Sequence, residues 1–218
     1  MPEPVTMIGV GGGVAMLLGQ LARRYFSTAK EVVDILLGVL FGILALPLLL
    51  VCAVLIKLSS KGPVLFRQTR VGLRGAPFRM IKLRTMYVDA EDRSGAVWAS
   101  KNDPRVIPVC RWMRRSHVDE LPQLWNIIRG EMSIVGPRPE RPEIMAELEN
   151  HYPEVRKRLE VKPGLTGLAQ VRNGYDSSIE AFRHKLASDL EYIERRRWAM
   201  EFSILARTVL KLNDSQAC

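Results

Sequence analysis

Asp119 and Glu120 are adjacent carboxylates set among clustered cations, with Arg111, Arg114 and Arg115 before them and Arg129, Arg138 and Arg141 after. Acids held among that many fixed positive charges point to a ligand that carries several negative charges of its own. Phosphate is the first candidate, because a guanidinium offers paired donors that match its oxygens. The competing reading of an Asp-Glu pair is an ordinary acidic first turn of a helix, where ionised carboxylates are favoured anyway.

The elements that must position these residues can be read around them. Leu121, Leu124, Trp125 and Ile128 recur at the i, i+3, i+4, i+7 spacing of an amphipathic helix. Pro122 is tolerated only in a first turn, so the spacing predicts a helix that begins between Ser116 and Asp119 and stops at Gly130. Met132 to Val135 reads as a short strand. Gly136-Pro137-Arg138-Pro139 follows, in which two prolines stiffen the backbone around an arginine that must stay aimed.

The chain of 218 residues suffices for one sizeable domain, and 47% hydrophobic with 25% charged residues is not a disordered composition. A net charge of +9 allows nucleic acid, an anionic membrane face or an anionic substrate as partner. No zinc-ligand spacing or RNA-binding aromatic motif favours nucleic acid. Cys52, Cys110 and Cys218 are odd in number and widely spaced, which fits neither a disulfide framework nor a metal site and suits a reducing compartment.

Ile35 to Ile56 is a run of roughly 22 residues without a charge, long enough to cross a bilayer as a helix. Two features oppose simple spanning. Pro47 lies near its middle and should kink it. Cations also lie on both sides, Arg23, Arg24 and Lys30 before and Lys57, Lys61, Arg67 and Arg70 after, and the positive-inside rule keeps both ends on the cytoplasmic face. A helix that enters, bends and returns satisfies both, although spanning stays open on these grounds. Upstream, Val14 to Phe26 is expected as a short amphipathic helix. The glycines from Gly9 to Gly13 lack the spacing of a phosphate loop, and Glu3 argues against a signal peptide.

Beyond Lys57, Val64 to Gln68 and Phe78 to Leu83 read as strands of a hairpin. Residues 89 to 103 read as a polar loop or short helix. Arg141 to Leu159 is helical, interrupted at Pro153. Lys162 to Gly167 is a Pro/Gly-rich loop, either a tight turn or a place where backbone N–H groups approach a ligand. Helical stripes run through Phe182, Leu186, Leu190 and Ile193, and through Trp198, Phe202, Leu205, Val209 and Leu212. Each is core packing or an interfacial face, with Arg195, Arg196 and Arg197 between them.

The string Asp119-Glu120-Leu121-Pro122-Gln123-Leu124-Trp125-Asn126 and the segment Gly130 to Glu140 stand in order with four others. These are Gln68 to Gly72, Lys82 to Met86, Asp103 to Arg105 and Pro163 to Gln170. Together they closely resemble the bacterial sugar transferases, the monotopic polyprenyl-phosphate phosphoglycosyl transferases, over about Lys30 to Leu210. The resemblance implies an enzyme that moves a sugar-1-phosphate from a UDP-sugar to polyprenyl phosphate and releases UMP. Asp119 would be the nucleophile and Glu120 would bind Mg²⁺. Lys82, Arg84, Arg114 and Arg138 would hold phosphates, and Asp189 matches an aspartate of the family's C-terminal pattern. His117 is not needed as a base, because an ionised carboxylate nucleophile requires none. Two departures stand out: Lys30-Glu31 precedes Asp34 where the family often has a basic pair, and Leu46-Pro47 replaces the Ser-Pro of some members.

The expected architecture is thus an α/β, mostly helical cytoplasmic-face domain with short strands over residues 59–218. It is anchored by a re-entrant, proline-kinked helix over 30–58 and by interfacial amphipathic helices, after an N-terminal segment over 1–29. The expected setting is the cytoplasmic membrane with its lipids, in a minimal catalytic form of undetermined oligomeric state. Two other classes fit less of the pattern: a lipid-diphosphate phosphatase using the same Asp119, and a non-catalytic basic scaffold, which would tolerate Asp119→Asn.

Overall fold

The computed structural model describes residues 10–88, 90, 103–173 and 179–211. One helix, α1, runs from Val10 to Ser59 with Pro47 inside it. The amphipathic segment expected upstream is therefore continuous with the apolar run. Residues 19–59 are long and apolar enough to cross a membrane, with a mean hydropathy of 3.1 in the richest stretch, and only 11% of that stretch is covered by protein. Leu40, Phe41, Ile43, Leu44, Leu46, Leu50 and Val51 are all exposed. A row of large apolar side chains left uncovered by its own fold is the surface lipid would cover.

Both ends of that apolar run dock on the rest of the chain. At its start, Gly38 lets α3 (Leu124–Ile128) approach closely: a Cβ there would lie 3.3 Å from Ile127 Cγ2 and Ile128 Cγ1. At its end, Cys52 and Ile56 are fully buried with Leu83, Ile107, Cys110 and Met113.

The hairpin appears as expected, with β1 (Leu65–Val71) antiparallel to β2 (Pro77–Leu83) and Phe66 opposite Lys82. Helix α2 (Arg111–Arg115) leads through His117, at φ 56°, into a 3₁₀ segment over Val118–Gln123, and α3 follows. The expected helix thus exists as a 3₁₀ piece joined to one α turn. This changes its buried face: Ile127 is fully buried, whereas Trp125, placed by strict 3.6 periodicity in the core stripe, is 55% exposed. A 3₁₀ segment advances by three residues per turn, so the phase of the stripe shifts when α geometry begins. Gly130, at φ 74°, ends α3.

β3 (Ser133–Val135) pairs in parallel with β4 (Gly164–Thr166) after a crossover through α4 (Pro142–His151) and a 3₁₀ segment over Pro153–Glu160. The break at Pro153 is where it was expected. The Pro/Gly-rich loop is instead this short strand. A Cβ on Gly164 would lie 2.1 Å from Gly136 N, and one on Gly167 would lie 2.3 Å from Gly136 O. The glycines serve the approach of two backbones to each other. After α5 (Leu168–Asn173), α6 (Ile179–Arg195) and α7 (Trp198–Lys211) bear the two helical stripes. Phe182, Leu186 and Ile204 are buried, while Phe202, Val209 and Leu210 are exposed. The stretch from 89 to 103 lies almost wholly outside the described residues.

Candidate active site

Four segments converge on the two acids. The 3₁₀ segment carries Asp119 and Glu120, the end of β2 carries Lys82, α2 carries Arg114, and the loop after β3 carries Arg138. Glu120 is buried and doubly clamped. Its Oε1 accepts from Lys82 Nζ and from Arg138 Nη2, each at 2.6 Å, and its Oε2 accepts from Arg138 Nη1 at 3.2 Å. Burial alone would raise its pKa, but the two cations win and hold it well below the usual carboxylate range.

Asp119 is equally buried, at 7% exposure, yet among the described residues no donor lies within hydrogen-bond distance of its carboxylate. Burial, and then the charge of Glu120, push its pKa up to about 6 against the pull of Lys82, Arg114 and Arg138. Two neighbouring carboxylates are thereby driven apart, one fixed as an anion in a cationic clamp and the other pushed toward its neutral form. Such divergence marks two different chemical roles. Burial also depresses the Lys82 pKa. His117 is half-buried, and burial lowers its pKa.

The loop bearing Arg138 is pinned from three sides. Gly164 N donates to Pro137 O at 2.9 Å, Arg70 Nη1 to Pro139 O at 3.0 Å, and Arg158 Nη2 to Arg138 O at 2.8 Å. Arg158 is itself set by Asp189, whose Oδ2 accepts from Arg158 Nε at 2.8 Å, with both side chains buried. Asp189, expected among the substrate-binding residues, thus lies behind the loop and reaches the site through Arg158 and the Arg138 carbonyl.

Arg84 is buried with its guanidinium on the end of α1, where Nη2 donates to Ser60 O at 3.0 Å. Arg114 Nη1 donates to Thr85 Oγ1 at 3.3 Å while its charge acts on Asp119. Of the clustered arginines, Arg138 and Arg114 therefore serve the acids. Arg111 and Arg115 are exposed, Arg141 Nε lies 3.4 Å from Glu143, and Arg129 belongs to the opposite face of the hairpin.

Sequence reasoning passed over Arg158 and Asn126. Asn126 Oδ1 accepts from Ile81 N at 3.1 Å and its Nδ2 donates to Arg79 O at 2.8 Å, joining α3 to β2 and so fixing the acids against Lys82. A buried asparagine ending the Asp119–Asn126 string was the available signal. Arg158, in an otherwise charged 3₁₀ segment, carried none.

A model of the bacterial sugar transferase family matches residues 25–215. The chain belongs to that family. Among individual members, the UDP-glucose:undecaprenyl-phosphate glucose-1-phosphate transferase of Caulobacter vibrioides is 44% identical over 196 residues, which cover 89% of this chain and 73% of that protein. The exopolysaccharide production protein PSS of Rhizobium leguminosarum is 40% identical, with 83% and 93% covered. A UDP-N-acetylgalactosamine-undecaprenyl-phosphate N-acetylgalactosaminephosphotransferase of Aeromonas hydrophila is 38% identical over 87% of this chain, which spans 44% of that relative's length. The matched range of the sugar transferase contains every residue of the Asp119–Glu120–Lys82–Arg138 constellation, and the relatives' names differ in the sugar.

Mg²⁺ is a hard cation that is held by one or two carboxylates and completes its shell from phosphates and water. No group of three or more His, Cys, Asp or Glu residues that could form a dedicated cage occurs among the described residues. Glu120 fits as the one carboxylate such an ion needs, since its Oε2 accepts only from Arg138 Nη1, at 3.2 Å, among the described residues.

Proposed function

We propose that this sugar transferase moves a sugar-1-phosphate from a UDP-sugar to a polyprenyl phosphate, releasing UMP, as an early membrane step of glycan assembly. The observation that carries this reading is the contrast, among the described residues, between the clamped Glu120 and the buried Asp119 that accepts no hydrogen bond, inside a site whose other charges are cationic. Asp119 attacks the phosphorus that bears the sugar. The bond from that phosphorus to the bridging oxygen breaks, and UMP departs with the electron pair. An oxygen of the polyprenyl phosphate then attacks the aspartyl-phosphosugar, and the Asp119 carboxylate is regenerated. Dividing the transfer lets a soluble donor and a lipid acceptor use one site in turn.

Positioning and charge stabilisation dominate phosphoryl transfer. Arg138 and Arg114 supply cations around the phosphates, and Lys82 holds Glu120 in its ionised form. Glu120 would hold Mg²⁺, which when bound neutralises charge building on the diphosphate. Arg84 and Asp189 act on the reaction through the end of α1 and through the Arg138 loop.

The re-entrant arrangement of α1 is part of the same proposal. Asp34 and Ile56 lie about 33 Å apart along an ideal helix, roughly the thickness of the hydrocarbon core. Yet Asp34 accepts from Ser133 Oγ at 2.6 Å and Ile56 is buried against the β2 and α2 region, so both levels dock on one domain. This supports entry and exit on the same membrane face, the cytoplasmic one by the surrounding cations.

UMP release from a panel of UDP-sugars, with polyprenyl phosphate and Mg²⁺, tests the reading. The expected result is release with one donor by the reconstituted protein and loss of release in Asp119→Asn. No release from any donor would sink the transferase, and inorganic phosphate in place of UMP would point to a phosphatase.

A further inference from the structure

The β1–β2 hairpin has two faces. One turns Lys82 toward Glu120. On the other, Arg67 lies opposite Ile81 and Thr69 opposite Arg79, so Arg67 and Arg79 are diagonal neighbours, about 7–8 Å apart. Trp125 and Arg129 close this side, and the groups enclose an open cavity of about 600 Å³. Arg67 and Arg79 are exposed, and neither guanidinium makes a hydrogen bond or ion pair among the described residues. Among the described lining residues Glu131 is the one acid, and it is largely engaged: Oε1 lies 3.5 Å from Arg129 Nε, and Oε2 accepts from Asn126 Nδ2 at 2.7 Å. Three arginines against one engaged carboxylate leave the cavity cationic.

Its level relative to the membrane follows from α3. This helix meets α1 at Gly38 and Gly42, just where α1 passes from its charged foot at Lys30, Glu31 and Asp34 into the uncovered apolar run. Trp125 protrudes from the same helix at 55% exposure. A tryptophan with an apolar body and a polar edge favours the headgroup level. We propose that this cavity binds the headgroup of an anionic phospholipid, with Arg67, Arg79 and Arg129 on its phosphate and Trp125 against its glycerol end. Soluble phosphates share the oxyanion chemistry. The interfacial level of Trp125 selects the lipid.

The test uses the full chain in nanodiscs with Trp125 as sole tryptophan, the others replaced by Phe. Chain-brominated phosphatidylglycerol, diluted in phosphatidylcholine, should quench Trp125 at least about threefold more than brominated phosphatidylcholine at equal mole fraction, since each cation near an anionic surface favours association. Arg67→Gln combined with Arg79→Gln should remove the preference and leave quenching by phosphatidylcholine unchanged. Equal quenching by the two lipids, or none by either, overturns the proposal. Loss of the preference on adding inorganic phosphate at constant ionic strength assigns the cavity to a soluble anion and also overturns it. Native mass spectrometry of the protein with all its tryptophans gives a second readout: phosphatidylglycerol retained by wild type and lost in the double variant.

Discussion

Asp119 sets the pH response of the site. Its pKa of about 6 is raised by burial, and the proposed attack on phosphorus requires its ionised form. The rate of UMP release should therefore fall about tenfold per pH unit below 6, measured in single-turnover mode. The same shift costs stability. The folded state holds the proton more tightly than the unfolded chain, so the cost of the ionised form is absent below the ordinary aspartate range and complete above pH 6. A rise of about two units corresponds to about 3 kcal/mol. Asp119→Asn should accordingly abolish transfer and raise the melting temperature at pH 8, with no gain at pH 4. Asp189→Asn should act in the opposite sense. It leaves the buried Arg158 without its carboxylate, for a loss of roughly 3 kcal/mol in a denaturation series. At this scale the sequence was informative where partners are close in the chain or the string is distinctive, as for Asp119, Glu120 and Arg138. Arg84 and Asp189 were assigned to the substrate by resemblance, whereas their nearest partners are main-chain oxygens and another arginine. Contacts across 24 and 31 residues leave no mark in a single sequence.

The elements most exposed to error are the shortest. Met132 to Val135 reads as a short strand and Ser133–Val135 is one, but the three residues of Gly164–Thr166 give no periodicity to read, and the glycines around them looked like a loop. The hairpin, α4, α6 and α7 were legible because each repeats its pattern over at least two turns or several residues. Trp125 was placed in the core because a 3₁₀ piece is indistinguishable from an α turn at the level of residue types. The crossing of Gly136 over Gly164 makes a sharp prediction. Gly164→Ala puts a methyl onto the backbone of the loop that aims Arg138, and should cost about 1–3 kcal/mol in thermal stability. It should also lower transfer more than it raises the Michaelis constant for the donor. An unchanged turnover would mean that the loop tolerates the shift.

At the level of the whole molecule, the apolar run, the cations around it and Pro47 were plain in the sequence, but what both ends of the helix hold was not. Phe26 packs edge-on against Trp198 with centroids 5.3 Å apart, and Lys30 Nζ lies 2.7 Å from Glu201 Oε2. Lys57 Nζ, beyond the apolar run, donates to Gly62 O. Cysteines introduced at Tyr25 and Arg74, both exposed, lie on opposite sides of the apolar run. Both should resist a membrane-impermeant thiol reagent in intact cells and react after permeabilisation. Labelling of Tyr25→Cys from outside would instead make the helix a spanning one. The native Cys52 and Cys110 are buried and should stay silent.

The foot of α1 also fixes an order of events during synthesis. Ser27 accepts from Arg196, 169 residues later, and the buried Lys30 finds Glu201 later still, with Glu201 in turn accepting from Tyr192 at 2.7 Å. At cellular translation speeds that is a delay of roughly 10 to 30 s. Throughout it α1 carries its apolar run, and Lys30 has only Asp34, one turn on, as a partner. Helix α1 must therefore wait for its distant partners, and α7 completes its docking when it is made. A nascent chain stopped before Trp198 would hold the whole apolar run and still be unable to finish docking its foot.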